Sequence, residues 1–312
     1  MTRFTTAMIL SAGLGTRLRP LTDIRAKPSI PVAGEPMVRR IARWLAAGGV
    51  TDIVINLHHL PQTIAAVVGD GADLSVRVRY SWEQPILLGA AGGPRRALGI
   101  VGAETFLLVN GDTLTDLDLG RFADAHHDSG ARVTLALVPN REPSRYGGIQ
   151  LAADGRVTGF SRRGEADGAY HFIGVQLVRA DVFRSLPAGE PAASIGGVYD
   201  RLIEREPGSV RGFVCDASFW DVGTAADYWS TAWAFIDAGR DAAQAVGDRV
   251  RIDTTARLAR SIVWDDVEVS RGVMLDECLV TDGVTVPAGA TYRRTILVRG
   301  PDQQLNATPL LL

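Results

Sequence analysis

The sequence has few of the side chains on which disulfide-bonded and zinc-binding proteins depend. Its 312 residues include two cysteines, Cys215 and Cys278, which are too few for a disulfide framework and lack metal-ligand spacing. The five histidines form neither an HExxH motif nor a cluster with cysteine. We therefore expect no structural zinc site.

Long apolar runs and an excess of one charge are also missing. No stretch approaches the roughly twenty apolar residues of a membrane helix, and the apolar residues 7–14 are too few for a signal-peptide core. The 33 basic and 35 acidic side chains nearly balance, which argues against a broad cationic surface for nucleic acid. With 46% hydrophobic and 22% charged residues, the chain is expected to be a cytoplasmic globular protein.

Lysine is the scarcest charged residue. The sequence contains a single lysine, Lys27, and every other basic residue is arginine. A compositional bias toward arginine explains this at the surface. At a phosphate, however, the compact ammonium of lysine and the planar guanidinium of arginine are not interchangeable. Lys27 lies within the motif-rich N-terminal region and is therefore a candidate phosphate ligand.

The N-terminal part of the chain alternates between strand and helix patterns. The strand patterns occupy residues 6–11, 52–56, 76–80, 105–110 and 132–138, and the helix patterns 37–48, 62–68, 90–99 and 119–129. Apolar strands that alternate with helices indicate a doubly wound, mostly parallel, Rossmann-like α/β sheet with helices on both faces. Such sheets bind ligands at the carboxyl ends of their strands.

The rest of the chain comprises a continuation of this domain and a tail. Strand patterns continue over residues 146–178 and 209–215, helix patterns over 198–206 and 224–238, and residues 239–247 are typical of a linker. Beyond Arg251 apolar residues recur about every six positions, at Val267, Val273, Leu279, Val284, Ala290 and Ile296. Short β-helix coils and irregular strands packed on the main domain both fit this recurrence. We predict a main domain at residues 1–240 and a short β-helix-like segment at residues 250–312.

A glycine-rich turn follows the first strand pattern. Gly13 and Gly15 would let backbone N–H groups approach phosphate oxygens closely. A dinucleotide fingerprint needs a small residue where Leu18 stands, and the Gly-Lys-Ser/Thr of a P-loop does not occur. Arg17 and Lys27 add two cations to the backbone donors. This combination suits a triphosphate.

Two aspartates stand at the ends of strand patterns. Asp112 ends the segment VNGD, and Asp221 follows two aromatic residues in FWDVGT. A carboxylate at the C-terminal end of a central strand suits a hard cation, although Asp112 fits the N-cap of the next helix equally well. Together with the phosphate loop, the two aspartates indicate Mg²⁺-assisted chemistry at a phosphate.

These motifs together resemble the signature of the sugar-1-phosphate nucleotidyltransferases, also called nucleotide-sugar pyrophosphorylases. The resemblance lies in GLGTRLRPLT at residues 13–22 with Lys27-Pro28, in NGD at 110–112 and in WDVG at 220–223. It extends over about residues 5–238, the presumed catalytic domain. The six-residue repeat is similar to the short left-handed β-helix tails of many members.

The resemblance implies a role for each matching position. The implied nucleotide site comprises Ala12, Gly13, Leu14, Gly15, Thr16, Arg17, Gln84 and Gly89. Arg17 would hold the β- and γ-phosphates, and Lys27 would meet the attacking sugar phosphate or the α-phosphate. Asp112 and Asp221 would chelate one Mg²⁺. The positions implied for the sugar phosphate are Gly147, Arg162 and Gly174.

The sequence departs from the family pattern in two places. Many relatives have Glu-Lys after the strand ending near Phe160, whereas this chain has SRRG at residues 161–164. Arg162 or Arg163 would take over the phosphate contact, but the sugar-reading carboxylate is missing. Residues 88–93 read LGAAGG where relatives often have LGTAGA. Because of the first departure, the motifs do not specify which sugar is bound, and because of the second they do not specify which base.

The implied reaction is attack of a sugar 1-phosphate oxygen on the α-phosphorus of an NTP, with pyrophosphate leaving. GTP with mannose 1-phosphate is the first expected pair, as in the mannose-1-phosphate guanylyltransferases, and UTP with a glucose, amino-sugar or muramate phosphate is the alternative. An acyltransferase is disfavoured because no histidine follows His171. A non-catalytic nucleotide-sugar-binding regulator would be expected to lose Lys27, Asp112 or Asp221. The tail of relatives often forms an oligomer contact, so a homodimer is a further expectation.

Two histidine pairs have no assigned role in this reaction. His58 and His59 follow Asn56 at a strand end, where a ligand contact and a strand-capping polar cluster both fit. His126 and His127 lie on a predicted amphipathic helix and are expected on the surface.

Overall fold

The computed structural model describes residues 4–165, 168–239, 242–300 and 302–312. The chain divides into two compact units. The first comprises the residues up to Gly13 together with Val38–Trp220, and the second comprises Leu14–Met37 together with Asp221–Leu312. The boundary after Gly13 therefore falls within the glycine-rich turn.

Strands occur along the whole described chain, and its α-helices all lie before residue 240. The strands are β1 (Thr6–Leu10), β2 (Pro31–Val32), β3 (Glu35–Pro36), β4 (Asp52–Leu57), β5 (Arg77–Trp82), β6 (Thr105–Asn110), β7 (Thr113–Thr115), β8 (Val133–Pro139), β9 (Gly148–Leu151), β10 (Val157–Ser161), β11 (Tyr170–Arg179), β12 (Val210–Val214), β13 (Phe219–Asp221), β14 (Arg251–Ile252), β15 (Arg257–Ala259), β16 (Ile262–Val263), β17 (Glu268–Val269), β18 (Met274–Asp276), β19 (Leu279–Val280), β20 (Thr285–Val286), β21 (Thr291–Arg293), β22 (Thr295–Arg299) and β23 (Leu305–Pro309). The α-helices are α1 (Leu21–Ile24), α2 (Met37–Ala47), α3 (Pro61–Val68), α4 (Gly89–Val101), α5 (Leu119–Ser129), α6 (Asp181–Arg184), α7 (Tyr199–Arg205) and α8 (Ala225–Gly239).

The first unit is built on a nine-stranded sheet. Its main path runs β10-β9-β11-β6-β1-β4-β5, and β8 joins β11 to β12. Strands β6, β1, β4 and β5 are parallel, as are β8 and β12, whereas β11 is antiparallel to both β6 and β8. The predicted doubly wound, mostly parallel α/β fold is confirmed. The antiparallel direction of β11 was not predicted from the alternating pattern.

Burial of apolar strand residues explains why this sheet forms. Met8, Val54 and Leu108, on β1, β4 and β6, are all 0% exposed. Burying such a side chain completely contributes about 1.5–3 kcal/mol. Strand β1 is parallel to β6 with Leu10 beside Asn110. The glycine-rich turn after β1 and the NGD segment after β6 therefore begin at the same edge of the sheet.

In the second unit, the segment Leu14–Met37 is fixed by buried aromatic residues. The Tyr228 hydroxyl on α8 donates a hydrogen bond to the main-chain oxygen of Pro31 at 2.8 Å. The same hydroxyl accepts one from Trp264 Nε1 at 2.9 Å. Burial raises the pKa of Tyr228, so the phenol stays protonated and able to donate.

A single arginine connects the same segment to the tail. Arg25 forms ion pairs with Asp265 and Asp282, each at 2.7 Å, and its side chain is only 12% exposed. Its guanidinium also lies 5.3 Å from the centroid of the Trp264 ring. The two carboxylates therefore share one largely buried cation.

The tail consists of short parallel strands in three ladders, β14-β17-β20, β15-β18-β21 and β16-β19-β22. Successive partners such as Arg251, Glu268 and Thr285 are 17 residues apart. Val267 and Val273 are at most 1% exposed, as expected for the six-residue recurrence. The β-helix interpretation is confirmed. Each coil has 17 residues, because successive apolar positions within a coil are spaced by six, six and five residues. The last strand, β23, pairs antiparallel with β22.

Other expectations have mixed outcomes. The predicted linker at residues 239–247 includes residues 240 and 241, which lie outside the described residues. No helix in the described part of the chain is long and apolar enough to cross a membrane.

His126 was expected at the surface, and this prediction is wrong. The residue is 5% exposed, and its Nδ1 lies 2.7 Å from Thr134 Oγ1. Burial lowers the pKa of His126 to about 4. His127 is exposed, as predicted.

Candidate active site

The glycine-rich turn begins directly after β1. The backbone N–H of Ser11 donates to Asn56 Oδ1 at 2.6 Å, which fixes the start of the turn. Gly15 has a φ of 63°, in the left-handed region that glycine adopts without strain. A 3-10 turn, Thr16–Leu18, follows and leaves Arg17 exposed. The turn therefore continues directly from β1 and leaves the Arg17 side chain exposed.

Lys27 lies beside the second glycine of the turn. The hydroxyl of Thr22 donates to the main-chain oxygen of Gly15 at 2.9 Å. A Cβ at Gly15 would lie 2.7 Å from Thr22 Cγ2 and 3.5 Å from Lys27 Cβ, so the three residues are in close contact. Lys27 is 8% exposed. This glycine thus permits the packing that holds the single lysine of the chain against the turn.

Arg17 lies close to the loop that follows Asp221. A Cβ at Gly223 would lie 3.5 Å from Arg17 Nη1 and 3.6 Å from Nη2. Gly223 is buried, and Asp221 is half-buried. The second unit therefore brings Arg17 to the WDVG motif, where the absent side chain at residue 223 leaves room for the guanidinium.

A buried carboxylate connects the glycine-rich turn to the segment proposed to read the base. Glu83 is 0% exposed. Its Oε1 accepts a hydrogen bond from Asn56 Nδ2 at 2.7 Å, and its Oε2 accepts one from the backbone N–H of Leu88 at 2.7 Å. Because Asn56 also accepts from Ser11, one chain of hydrogen bonds runs from the end of β1 to residue 88. We did not identify Glu83 from the sequence, where no pattern marks it.

The same carboxylate lies against the main chain of Gly93. A Cβ at Gly93 would lie 2.4 Å from Glu83 Oε1 and 3.0 Å from Asn56 Nδ2. The space that a Cβ at residue 93 would fill is therefore occupied by the carboxylate. His58 belongs to the same cluster, since its Nδ1 lies 2.7 Å from the main-chain oxygen of Glu83. For Asn56 and His58 the structure favours the polar-cluster interpretation.

The segment proposed to read the base borders the start of α4. Gln84 and Gly89 are both exposed. Gly89 has a φ of 75°, and a Cβ there would lie 2.9 Å from the main-chain oxygen of Ala192. The main chain of Ala192 also donates to Leu88 and accepts from Ala91, each at 2.9 Å. The start of α4 is thus held against the 190–195 loop.

The structure excludes one of the two interpretations of Asp112. Helix α5 is capped by Asp118, whose Oδ1 accepts from the backbone N–H groups of Gly120 and Arg121 at 2.9 and 3.0 Å. The N-cap interpretation of Asp112 is therefore wrong. The Gly111 N–H donates to the main-chain oxygen of Leu10 at 2.9 Å, which places half-buried Asp112 next to the turn after β1.

Gly147 and the SRRG segment lie side by side. A Cβ at Gly147 would lie 2.9 Å from the main-chain oxygen of Ser161 and 3.9 Å from the nitrogen of Arg163. Gly147 and Arg162 are both exposed. Two of the three positions implied for the sugar phosphate are therefore neighbours, on the strands β9 and β10 and the loops beside them.

Gly174 lies on β11 and makes room for an interior side chain. It has a φ of 79°, and a Cβ there would lie 3.0 Å from both Cβ and Nδ2 of Asn110. Asn110 and Gln176 line a pocket of about 570 Å³ together with Leu88, Gly89 and Phe172. The pocket opens beside the start of α4 and the end of β6.

A second pocket of about 470 Å³ lies on another part of the first unit. It is lined in part by stacked rings, with the centroid of His171 at 4.1 Å from that of Tyr146 and 4.9 Å from that of Phe219. Burial lowers the pKa of His171 to about 4, and the nearby charge of Arg145 acts in the same direction. The imidazole is therefore neutral near pH 7 and packs as an aromatic ring.

The candidate residues fall into one group in each unit. The first unit holds Ala12, Gly13, Gln84, Gly89, Asp112, Gly147, Arg162 and Gly174, and the second holds Leu14, Gly15, Thr16, Arg17, Lys27 and Asp221. In the described residues no group of three or more His, Cys, Asp or Glu side chains could hold a metal ion.

Comparisons with known proteins identify the family. A family profile described as "Nucleotidyl transferase" matches residues 6–237. The chain belongs to this family. The nucleotidyl transferase is 29% identical over 299 residues to mannose-1-phosphate guanylyltransferase of Mycobacterium tuberculosis, covering 92% of this chain and 83% of that protein. It is 37% identical over 190 residues to N-acetylmuramate alpha-1-phosphate uridylyltransferase of Neisseria meningitidis, covering 60% of this chain and 80% of that protein.

A solved structure shares the fold of the nucleotidyl transferase. The crystal structure of HddC from Yersinia pseudotuberculosis has a TM-score of 0.64 and 23% identity, and the match covers 74% of this chain and all of that one. The family and the fold expected from the sequence motifs are therefore confirmed.

Proposed function

We propose that this enzyme transfers a nucleotidyl group from an NTP to a sugar 1-phosphate, giving a nucleotide sugar and pyrophosphate. The observation that carries this conclusion is the family match over residues 6–237, which includes the phosphate turn, the NGD segment and the WDVG motif. In this reaction an already anionic phosphate oxygen attacks the α-phosphorus in line. Catalysis therefore needs positioning and charge neutralisation more than a general base.

Arg17 and Lys27 are proposed to supply the protein's positive charge. Arg17 is exposed and extends beside the WDVG motif, where it would hold the β- and γ-phosphates and stabilise the departing pyrophosphate. Lys27 is nearly buried beside Gly15, and its ammonium would meet the attacking sugar phosphate or the α-phosphate. Backbone N–H groups of residues 12–16 would bind the remaining phosphate oxygens.

Asp112 and Asp221 are proposed to hold Mg²⁺. Their hard carboxylate oxygens suit this ion, which usually takes one or two protein carboxylates and completes its shell with water and substrate phosphates. A pair of aspartates therefore suits Mg²⁺. When bound, the ion would neutralise charge on the α-phosphate.

The remaining candidates are assigned to the two organic groups of the substrates. Gln84 and Gly89 would face the base, and Gly147, Arg162 and Gly174 would meet the sugar phosphate. GTP with mannose 1-phosphate and UTP with an amino-sugar or muramate phosphate are both supported by relatives, one of each kind being cited above. We further propose a cytoplasmic homodimer, for which sedimentation would give the subunit number.

The reaction is tested by measuring pyrophosphate release from four NTPs combined with several sugar 1-phosphates, with and without EDTA. Release from a defined NTP–sugar pair that is abolished by EDTA is expected. Nucleotide-sugar binding without release from any pair would instead identify a non-catalytic regulator.

Matched variants test the assigned cations and carboxylates. Arg17→Met is expected to lower kcat/KM by about 10²-fold, as for loss of a single electrostatic donor. Arg19→Met is its control, because Arg19 lies in the same loop, is exposed and pairs with Asp23 at the surface. Asp221→Asn is expected to lower activity at least as far and to raise the Mg²⁺ concentration needed. Equal activities of the Arg17 and Arg19 variants would contradict the phosphate assignment.

A further inference from the structure

The pocket beside α4 has an unusual composition for a site that binds a sugar. Its volume is about 570 Å³, and its polar side chains are Asn110, Gln176 and Ser194. None of the described residues that line it is charged. The rest of its wall is apolar and includes Leu10, Leu88, Phe172, Pro191, Ala192 and Ile195.

The position of this pocket suits the sugar, an assignment that rests on the proposed function. Gly89 at its rim belongs to the segment assigned to the base, and Asn110 precedes the Gly111-Asp112 turn assigned to the metal. Gly174, assigned to the sugar, makes room for the Asn110 side chain within the same wall. A group bound here would therefore lie next to both the base-reading segment and the metal carboxylate.

Gln176, which lines this pocket, carries a hydrogen-bond donor. It is 2% exposed, and its Oε1 lies 2.5 Å from the hydroxyl of Tyr199, which is 0% exposed. A fully buried phenol must donate its proton to an acceptor, and the Gln176 carbonyl oxygen fills that role. The amide is thereby oriented with Nε2 away from Tyr199. No partner for Nε2 is present in the described part of the chain.

The side chains that line the pocket favour some sugar substituents over others. An unsubstituted hexose carries several hydroxyl groups, and each one buried without a partner costs about 1–3 kcal/mol. An acylamino sugar keeps the other hydroxyl groups and differs from the hexose only at the substituted carbon, so the wall discriminates at that position, where no carboxylate of the described residues is available to accept from a hydroxyl. An acylamino group there offers a carbonyl acceptor, an N–H donor and an apolar end. This combination matches one free amide donor in a wall that is otherwise mostly apolar.

We propose that this pocket selects sugar 1-phosphates with an acylamino substituent, with Gln176 Nε2 donating to the acyl carbonyl. Tyr199 is a positioning residue, because it reaches the substrate only through the orientation of Gln176. The amino-sugar alternative to mannose is thereby favoured by the structure of the site.

Wild-type enzyme tests the preference with substrates matched at a single position. Glucose 1-phosphate and N-acetylglucosamine 1-phosphate differ only in the C2 substituent, and mannose 1-phosphate and N-acetylmuramate 1-phosphate extend the panel. We expect the highest kcat/KM for an acylamino substrate, by about tenfold or more, with whichever NTP is used. Pyrophosphate release from no pair would contradict the proposed function itself. Release that is fastest with glucose or mannose 1-phosphate would overturn this inference alone.

Variants separate a specificity role from a structural one. Gln176→Leu should lower kcat/KM for the acylamino substrate about tenfold, the equivalent of one lost hydrogen bond, through KM more than kcat. Gln176→Glu retains an acceptor for Tyr199 but places an anionic acceptor against the acyl carbonyl, so the loss should reach about 100-fold. Tyr199→Phe should lower the acylamino-to-hexose preference by a smaller factor. Gln150→Leu, an exposed residue on β9, is the control and should leave the preference unchanged.

The ratio of kcat/KM for the two substrates is the decisive readout, because a smaller folded fraction lowers both values equally. A general structural defect would leave this ratio at the wild-type value in all three variants, and that result would refute the inference. The inference would be supported if the ratio falls most in Gln176→Glu, less in Gln176→Leu and least in Tyr199→Phe.

Discussion

Replacing Glu83 with glutamine is the sharpest test of how the nucleotide-binding segments are held together. The backbone N–H of Ser11 can only donate, so the Asn56 atom that faces it must be the carbonyl oxygen. The Asn56 amide nitrogen therefore faces Glu83 and donates to it. The backbone N–H of Leu88 also donates to Glu83. Both side-chain oxygens of residue 83 must accept, and only a carboxylate provides two acceptors.

The expected magnitude follows from this geometry. A glutamine at residue 83 must point its NH₂ group at either Asn56 Nδ2 or the Leu88 N–H, so one charge-assisted hydrogen bond becomes a donor–donor contact. Hydrogen bonds to charged groups contribute about 1.5–3 kcal/mol, and the buried donor loses its partner as well. We expect Glu83→Gln to lower the free energy of unfolding by about 3 kcal/mol. Because the segments at Ser11 and Leu88 flank the proposed nucleotide site, KM for the NTP should also rise.

Urea denaturation and steady-state kinetics on the same preparations measure these two effects. Glu104→Gln is the matched control, because Glu104 is exposed and should tolerate the change within about 0.5 kcal/mol. Gly93→Ala places a Cβ 2.4 Å from Glu83 Oε1 and is expected to cost about 1–3 kcal/mol. Since both substitutions act on one carboxylate, their effects should not add. A Glu83→Gln protein as stable as the Glu104→Gln control would refute the two-acceptor argument.

Three further predictions concern stability measured by urea denaturation. Arg25→Met leaves Asp265 and Asp282 without their shared cation and should cost about 3 kcal/mol, while a loss below 0.5 kcal/mol would show that the pairs contribute nothing. Tyr228→Phe removes a buried hydroxyl that both donates and accepts, and should cost about 1–3 kcal/mol; an unchanged midpoint would contradict those bonds. His126 takes up its proton near pH 6.5 in the unfolded state but only near pH 4 in the folded state. The free energy of unfolding should therefore decrease as the pH falls between these values, by about 1.4 kcal/mol per pH unit at most. His126→Asn should flatten that slope, and an equal slope in the variant would disprove the assignment.

The regular elements could be predicted because their signals are local. The observed β6 and α5 coincide with the predicted residues 105–110 and 119–129. The six-residue recurrence also indicated the tail, because in a coil of short strands each inward position needs an apolar side chain. What the recurrence did not reveal was the register of 17, which depends on how successive coils pair.

The side chains that connect distant segments could not be predicted in this way. Glu83 is joined to residues five and 27 positions away, and Tyr199 is 23 residues from Gln176. No spacing rule relates such pairs, because they meet only after the sheet and its loops have formed. The polar end of β4 was noticed in the sequence, but its partner Glu83 has no signature of its own.

The glycines of the candidate site differ in whether packing within the protein leaves room for a side chain. At Gly15, Gly89, Gly147 and Gly174, a Cβ would lie 2.7–3.0 Å from atoms of the protein, so packing within the chain already requires glycine there. At Gly13, by contrast, no described atom lies within 4 Å of a Cβ, and the residue is exposed with a negative φ. Neither packing nor backbone conformation accounts for glycine at residue 13. Close approach of a bound phosphate to the backbone, as in the proposed function, would account for it, so Gly13 is the glycine of this motif that the proposed ligand explains most directly.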